Sequence, residues 1–200
     1  MMVHLDGRIA YFAMTKTAST SVENALRPYC QVVFSGDHRV THMMPRRFNR
    51  FLRPYFQAIG IDDIRLCAQI RRPVDWVESW WRYRSQPGRW ADDLDTSGIS
   101  FERFVQEYLD AAPKPYINIG RQRNFLTGED GALLIDDLFR MEQMAAFADY
   151  LSNAMGVRIQ IDHHNRSPRR WGHLPKALAA RLDAHLDVEN TLWEAAARAT

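Results

Sequence analysis

Short apolar runs and amphipathic stretches alternate along the first 85 residues. The apolar runs predict three strands, at about Arg8–Met14, Gln31–Ser35 and Ile64–Ile70. Apolar residues at helical spacing predict helices at about Ser19–Pro28, Pro45–Ile59 and Pro73–Ser85. Strands that alternate with helices in this way are typical of an α/β domain.

The second half of the chain continues the pattern less clearly. Ser100 is a predicted N-cap for a helix at Ser100–Ala111, and Gly156 a predicted stop for a helix at Glu142–Met155. The remaining predicted elements are strands at Leu133–Ile135, Leu138–Met141 and Arg158–Ile161, then helices at Leu174–Leu186 and Val188–Ala197. We therefore expect one domain over residues 1–200, with three layers and a mainly parallel central sheet flanked by helices.

Composition excludes several classes of protein. Hydrophobic residues make up 46% and charged residues 25% of the chain, as in globular domains. A net charge of +2 is too small to indicate a nucleic-acid or membrane-surface partner. The two cysteines predict neither a disulfide framework nor a zinc site. No apolar run reaches the ~20 residues of a membrane span, and no leader pattern is present, so we expect a cytoplasmic protein.

The most informative segment joins the first predicted strand to the first predicted helix. Its loop carries Lys16 followed by Thr17, Ala18, Ser19, Thr20 and Ser21. Amides at a helix start and the helix dipole favour bound anions, so this turn is a candidate phosphate site. Thr20 and Glu23 have the spacing of a capping box. A nucleotide-kinase loop needs glycines, and this loop has none.

A second candidate site follows the Ile64–Ile70 run. Arg71 stands at the predicted strand end, Pro73 suits the first helical turn, and Ser79 lies about two turns further on. A guanidinium can bind phosphate oxygens in a fork, and a hydroxyl adds one donor. Other arginines are clustered too, and for Arg82 and Arg84 solubilising charge is the preferred interpretation.

Together these two motifs resemble the sulfotransferases that use 3′-phosphoadenosine 5′-phosphosulfate (PAPS), and the loop is closest to the carbohydrate 2-O-sulfotransferases. The resemblance implies a P-loop fold, a 5′-phosphosulfate site at Lys16–Ser21 and a 3′-phosphate site at Arg71 and Ser79. It continues weakly through Gln122–Gly128 and Arg140–Met144. The family often has a basic residue where this chain has Trp76. A basic C-terminal loop of the family implies that Arg169 contacts the donor.

A general base is also required, and histidine suits that task near neutral pH. His42 is the first choice, because the 2-O-sulfotransferases resembled here have a catalytic histidine at a similar place with a phenylalanine six residues later. His38 is the alternative base. The two histidines are four residues apart, as metal ligands are on a helix, but no third ligand is evident and sulfuryl transfer needs no metal.

The sequence thus predicts an enzyme that moves a sulfuryl group from PAPS to a hydroxyl of a small-molecule or saccharide acceptor, with a carbohydrate or glycoconjugate preferred. Two alternatives stay open: a P-loop kinase-like phosphotransferase and a non-catalytic nucleotide-binding or scaffold protein. The loops at residues 86–97 and 112–119, where we expect the acceptor to bind, have no sequence pattern that identifies it. The sequence does not predict the oligomeric state.

Overall fold

A computed structural model describes residues 1–162 and 172–196. Its five strands are β1 Met2–His4, β2 Ile9–Phe12, β3 Val32–Val33, β4 Arg65–Ile70 and β5 Asp137–Arg140. Its α-helices are α1 Ser19–Leu26, α2 His38–Thr41, α3 Pro45–Arg47, α4 Arg53–Ala58, α5 Pro73–Arg84, α6 Phe101–Leu109, α7 Gln122–Leu126, α8 Met144–Met155, α9 Lys176–His185 and α10 Asp187–Ala196. Phe48–Leu52 forms a π-helical turn, and Pro115–Ile117 and Met141–Gln143 form 3₁₀ turns.

The strands form one mixed sheet in the order β3-β1-β2-β4-β5. The β2–β4 and β4–β5 pairs are parallel, whereas β1 is antiparallel to both of its neighbours. The α/β class is confirmed, but two of the four strand pairs are antiparallel. The cause is β1, which the sequence does not predict because the strand, Met2–His4, is only three residues long.

Helices cover both faces of this sheet. Along β2, Ile9 and Tyr11 pack with α1 and α8, while Ala10 and Phe12 pack on the opposite face with Phe48. This alternation follows from the two-residue period of a strand. The sheet is therefore buried on both sides, and ligands can reach it only at its edges.

A third apolar cluster joins helices α5, α6 and α9 beyond the sheet. Trp76 and Trp81 of α5, Phe104 of α6 and Leu182 of α9 are all buried in it. Thr96 ties the segment between α5 and α6 to this cluster, since its hydroxyl donates to the Trp81 carbonyl at 2.7 Å. The cluster anchors α5, the helix that begins at the end of β4.

Capping residues in the sequence predicted correctly where α6 begins and where α8 ends. Ser100 accepts a hydrogen bond from the Arg103 amide at 3.2 Å, and Gly156 ends α8 with φ of 68°. The predicted helix at Pro45–Ile59 is divided by the π-helical turn, because Pro54 lacks the N–H that would continue the helical ladder. No described helix is long and apolar enough to cross a membrane.

Two of the predicted strands are wrong. Leu133 makes only an isolated bridge with Thr127, and residues 158–161 form no strand. Leu133–Ile135 is apolar but short, residues 158–161 alternate between polar and apolar, and neither segment pairs with a strand of the described sheet. Periodicity alone does not reveal whether a partner strand is available.

Candidate active site

The loop after β2 has an unusual backbone for a segment without glycine. β2 ends at Phe12 and α1 begins at Ser19, so residues 13–18 form the turn. Lys16 and Ala18 both have left-handed conformations, with φ of 66° and 58°. Each such residue costs about 1–2 kcal/mol relative to a right-handed one. Strain of this kind is concentrated at functional sites, and turns of this type can direct successive amides towards an anion.

The amides of this turn are available to a ligand. Ala18 is the N-cap of α1, and no side chain caps the helix. None of amides 16–20 donates a hydrogen bond of good distance and angle to another described residue, although residues 15–18 form a turn closed by a weaker backbone interaction. The predicted capping box is therefore wrong: Thr20 lies inside the first turn, and Oε1 of Glu23 is buried without a hydrogen-bond partner.

The hydroxyls of the loop do not all face outward. Thr17 is fully buried and its Oγ1 donates to the Met14 carbonyl at 2.9 Å, so its side chain braces the turn. Ser19 and Ser21 are also buried, whereas Thr20 is exposed. An anion at this turn would be bound mainly by backbone amides and Lys16 rather than by a ring of hydroxyls.

Lys16 is held against aromatic rings. Its Nζ lies 3.6 Å from the centroid of the Tyr83 ring and 5.8 Å from that of Trp80. Its pKa is lowered to about 7, chiefly by burial, and the positive charges of nearby Arg71, Arg89 and Arg82 lower it further. A bound anion would relieve this repulsion and restore the charged ammonium.

Arg71 follows β4 and is fixed by its backbone. Its amide donates to Oε1 of Gln122 at 3.0 Å, and Nε2 of Gln122 donates to the Arg71 carbonyl at 2.9 Å. Its Nη1 donates to the Lys16 carbonyl at 3.3 Å, whereas its Nε is buried without a partner. Because β2 and β4 are parallel neighbours, their carboxyl ends place the two predicted motifs in direct contact.

Helix α5 adds further contacts to this edge of the sheet. Nε1 of Trp76 donates to the Thr15 carbonyl at 2.9 Å, so Trp76 positions the loop. Ser79 is buried one turn beyond. Arg82 has only 14% of its side chain exposed, its Nε lacks a partner, and Glu78 Oε2 lies 3.9 Å from its Nη2.

The structure corrects the interpretation of Arg82 and Arg84 as solubilising charges. Arg84 is buried and donates to the Pro115 and Asn118 carbonyls, so it joins α5 to the 3₁₀ turn. Arg82 belongs with Lys16 and Arg71 as part of the positive site. Their helical spacing from Ser79 was visible in the sequence, but the direction in which they face was not.

His42 and His38 are in different environments. The Nδ1 of His42 lies 2.6 Å from the Ala13 carbonyl, which can only accept, so Nδ1 carries the proton and Nε2 has a free lone pair. Burial lowers the pKa of His42, which keeps the ring neutral near pH 7. His38 is 85% exposed and lies 3.8 Å from the Asp37 carboxylate. Of the two histidines, only His42 has a ring that is half-buried and held in one tautomer, as a candidate base requires.

A cavity of about 250 Å³ opens beside His42. It is bounded by Thr15 of the loop, Trp76 of α5 and Gln122 of α7, which links it to both strand ends. A larger cavity of about 390 Å³ lies between α8 and residues 158–162, and none of the predicted site residues lines it. The smaller cavity is therefore the candidate acceptor site.

Sequence reasoning missed the role of Gln122. The segment that begins at Gln122 carries only a weak motif, and nothing in its pattern predicts that one amide holds both backbone groups of Arg71. Arg169 lies outside the described residues. Within residues 1–162 and 172–196 no group of three or more His, Cys, Asp or Glu is placed to hold a metal ion.

Comparison with known proteins identifies no relative. No family model, no curated protein and no solved structure matches this chain. The function must therefore be argued from the motifs and from the geometry of the two strand ends.

Proposed function

We propose that this protein is a sulfotransferase that moves a sulfuryl group from PAPS to an acceptor hydroxyl. The observation that carries the proposal is the contact between the two motifs: Arg71 Nη1 donates to the carbonyl of Lys16. Lys16 and Arg71 are 55 residues apart, and the sequence predicts that their segments bind different phosphates of one donor. The two segments are neighbours where the parallel strands β2 and β4 have their carboxyl ends. In this proposal the fold is a P-loop-like, three-layer variant whose parallel part is β2, β4 and β5.

In this proposal the residues at the two strand ends bind different parts of the donor. The amides of residues 16–20 and the ammonium of Lys16 would bind the 5′-phosphosulfate. Arg71 and Ser79 would bind the 3′-phosphate, with Arg82 as a second cation in place of the basic residue that Trp76 replaces. The Thr17 hydroxyl stabilises the turn that forms this site through its hydrogen bond to the Met14 carbonyl.

The transfer step can be assigned to named atoms. His42 Nε2 takes the proton of the acceptor hydroxyl while the acceptor oxygen bonds to sulfur. The bond from sulfur to the 5′-phosphate oxygen breaks, and Lys16 together with the loop amides stabilises the charge left on that phosphate. A fixed Nδ1–H···O=C bond to Ala13 keeps the imidazole in the tautomer that this step needs.

Calorimetry with 3′-phosphoadenosine 5′-phosphate, the desulfated donor product, tests this proposal directly. We expect micromolar binding, and binding at least tenfold weaker for AMP, which lacks the 3′-phosphate. ATP is the comparator for a kinase. A preference for ATP, or no binding of either adenosine bisphosphate or ATP, would overturn the proposal.

The two alternatives predict different results. A P-loop kinase needs a carboxylate that holds magnesium near the end of a strand beside the loop. Here β4 is followed by Arg71 and Arg72, which are cationic. A non-catalytic nucleotide-binding protein would bind the bisphosphate but would transfer no labelled sulfate to any acceptor, and substitution of His42 would then change nothing measurable.

A further inference from the structure

The cavity beside His42 has walls that are mostly apolar. Its volume of about 250 Å³ corresponds to about eight water molecules at ~30 Å³ each, which is small for a ligand site. The apolar side chains that line it come from the loop, from α5, from the segment before α3 and from both sides of the α7 start; they are Met14, Met44, Trp76, Ile119 and Phe125.

Two of the five polar side chains in the cavity wall, Gln122 and Arg121, are already engaged. Both ends of the Gln122 amide are bonded to the backbone of Arg71. Arg121 donates from Nε and Nη2 to the carboxylate of Glu189 at 2.7 and 2.6 Å, and its Nη2 also donates to the His185 carbonyl. These two residues form a fixed rim and have little capacity left for a ligand.

Three polar side chains of the wall stay available. They are Nε2 of His42, the Asn124 amide and the Thr15 hydroxyl; the last two make no hydrogen bond to another described residue. A sugar ring has a polar group on nearly every carbon, and each one that loses water without a new partner costs about 1–3 kcal/mol. One hydroxyl beside an apolar body needs far fewer partners.

We infer that the acceptor of this enzyme is a small alcohol or phenol with an apolar body about the size of one ring. This inference rests on the proposed function. The acceptor hydroxyl is placed at His42 Nε2, the body lies against Trp76 and Ile119, and Asn124 can hold one further polar substituent. A saccharide, which the sequence resemblance implies, is the competing acceptor.

The test is an acceptor comparison with labelled PAPS and the full chain. We expect 4-methylphenol and cyclohexylmethanol to be sulfated with kcat/KM at least tenfold above that of methyl β-glucuronide or a uronic-acid disaccharide. An equal or greater rate with the saccharides would overturn the inference and leave the proposed function intact.

Variants of the cavity wall make the test independent of the acceptor panel. Ile119→Trp should raise KM for 4-methylphenol at least tenfold, while the affinity for 3′-phosphoadenosine 5′-phosphate stays within twofold. The matched control is Ile59→Trp, because Ile59 is 50% exposed and does not line the cavity. An Ile119→Trp variant that binds the bisphosphate normally and sulfates 4-methylphenol as well as wild type contradicts the inference.

Two measurements separate failure of the inference from failure of the proposed function. Calorimetry with the bisphosphate reports whether the donor site exists and whether each variant is folded. Calorimetry with 4-methylphenol alone reports cavity binding without any donor, and Met44→Trp gives a second block if Ile119→Trp does not fold. If the protein binds the bisphosphate but not 4-methylphenol, the inference about the acceptor is wrong and the proposed function stands. If it binds 4-methylphenol but not the bisphosphate, the proposed sulfotransferase function is wrong.

Discussion

The ends of β2 and β4 are adjacent in the sheet, yet they offer an anion very different groups. After β2, the loop offers backbone amides in a strained turn, with Lys16 and Ala18 at positive φ and no side-chain cap on α1. After β4, the chain offers side chains, and the backbone of Arg71 is fully occupied by Gln122. The groups offered at the end of β2 therefore depend on backbone conformation, whereas those offered at the end of β4 depend on which side chains are present.

The second end also positions the first. Arg71 donates to the Lys16 carbonyl, and Trp76 donates to the Thr15 carbonyl. Two side chains from the β4–α5 segment thus fix the carbonyls of the loop, so that the amides can face the other way. The comparison teaches that substitutions after β4 should affect both proposed phosphate sites, whereas substitutions of exposed loop side chains should affect one or neither.

Replacing Lys16 should have the largest effect, because it is the one cationic side chain that the loop itself supplies. Removing a group that stabilises transition-state charge lowers rates by about 10²–10³-fold. We expect Lys16→Met to lower the single-turnover rate of sulfuryl transfer by this factor. Lys114→Met, at an exposed position, is the matched control. A rate within tenfold of wild type would mean that the amides alone carry the loop's part of the chemistry.

Arg71→Ala should weaken donor binding and should do so selectively. Loss of a charged hydrogen bond costs about 1.5–3 kcal/mol, so the Kd of 3′-phosphoadenosine 5′-phosphate should rise about ten- to hundredfold. The affinity for AMP should change much less. Arg65→Ala, at the opposite end of the same strand, is the control, since Arg65 pairs with Asp137 on the far edge. Equal loss for both nucleotides would place Arg71 away from the 3′-phosphate.

Gln122→Leu tests whether the second end depends on one amide. The change leaves the amide and carbonyl of Arg71 without partners, which should lower the free energy of unfolding by about 1–3 kcal/mol. Denaturant titration measures this, and Gln57→Leu at an exposed position gives the baseline. Donor affinity should fall in the Gln122 variant as well. Unchanged stability together with unchanged affinity would show that the backbone of Arg71 needs no such support.

The smallest expected effect is a proton uptake of less than one proton per site. Burial and nearby arginines lower the pKa of Lys16 to about 7, so at pH 8 the free protein holds this amine mostly neutral. A bound dianion favours the ammonium and raises its pKa, so binding should take up a proton and weaken as pH rises from 7 towards 9. Calorimetry in buffers of different ionisation enthalpy measures the uptake.

The control for this proton effect is Lys16→Arg. A guanidinium stays charged throughout the range, so the variant should bind the bisphosphate without proton uptake at pH 8. Uptake that persists in the arginine variant would assign the proton to another group. His42 is the group to examine next, because burial already lowers its pKa and its protonation would add a positive charge near the loop.

Local signals in the sequence predicted the elements that carry the site. β2, α1, β4 and α5 lie where apolar runs, helical spacing and Pro73 indicate them, within a few residues. The same reasoning failed for the capping box at Thr20, because the chain reaches α1 through a left-handed Ala18 instead. It also failed for β1, which pairs by tertiary contact despite its length.

The sequence by itself determined which residues are chemically able to bind phosphate and which strand each one follows. Only the tertiary structure decided that β2 and β4 are neighbours, that Gln122 and Trp76 hold their ends, and that Arg82 lies beside Glu78 with little exposure while Arg84 binds the carbonyls of Pro115 and Asn118. The physical reason is the separation along the chain of the residues that interact. Caps, turns and periodicity depend on bonds within a few residues, whereas the hydrogen bonds of Arg84, Gln122 and Trp76 join residues that are 31 to 61 positions apart, and the packing of the whole domain selects them.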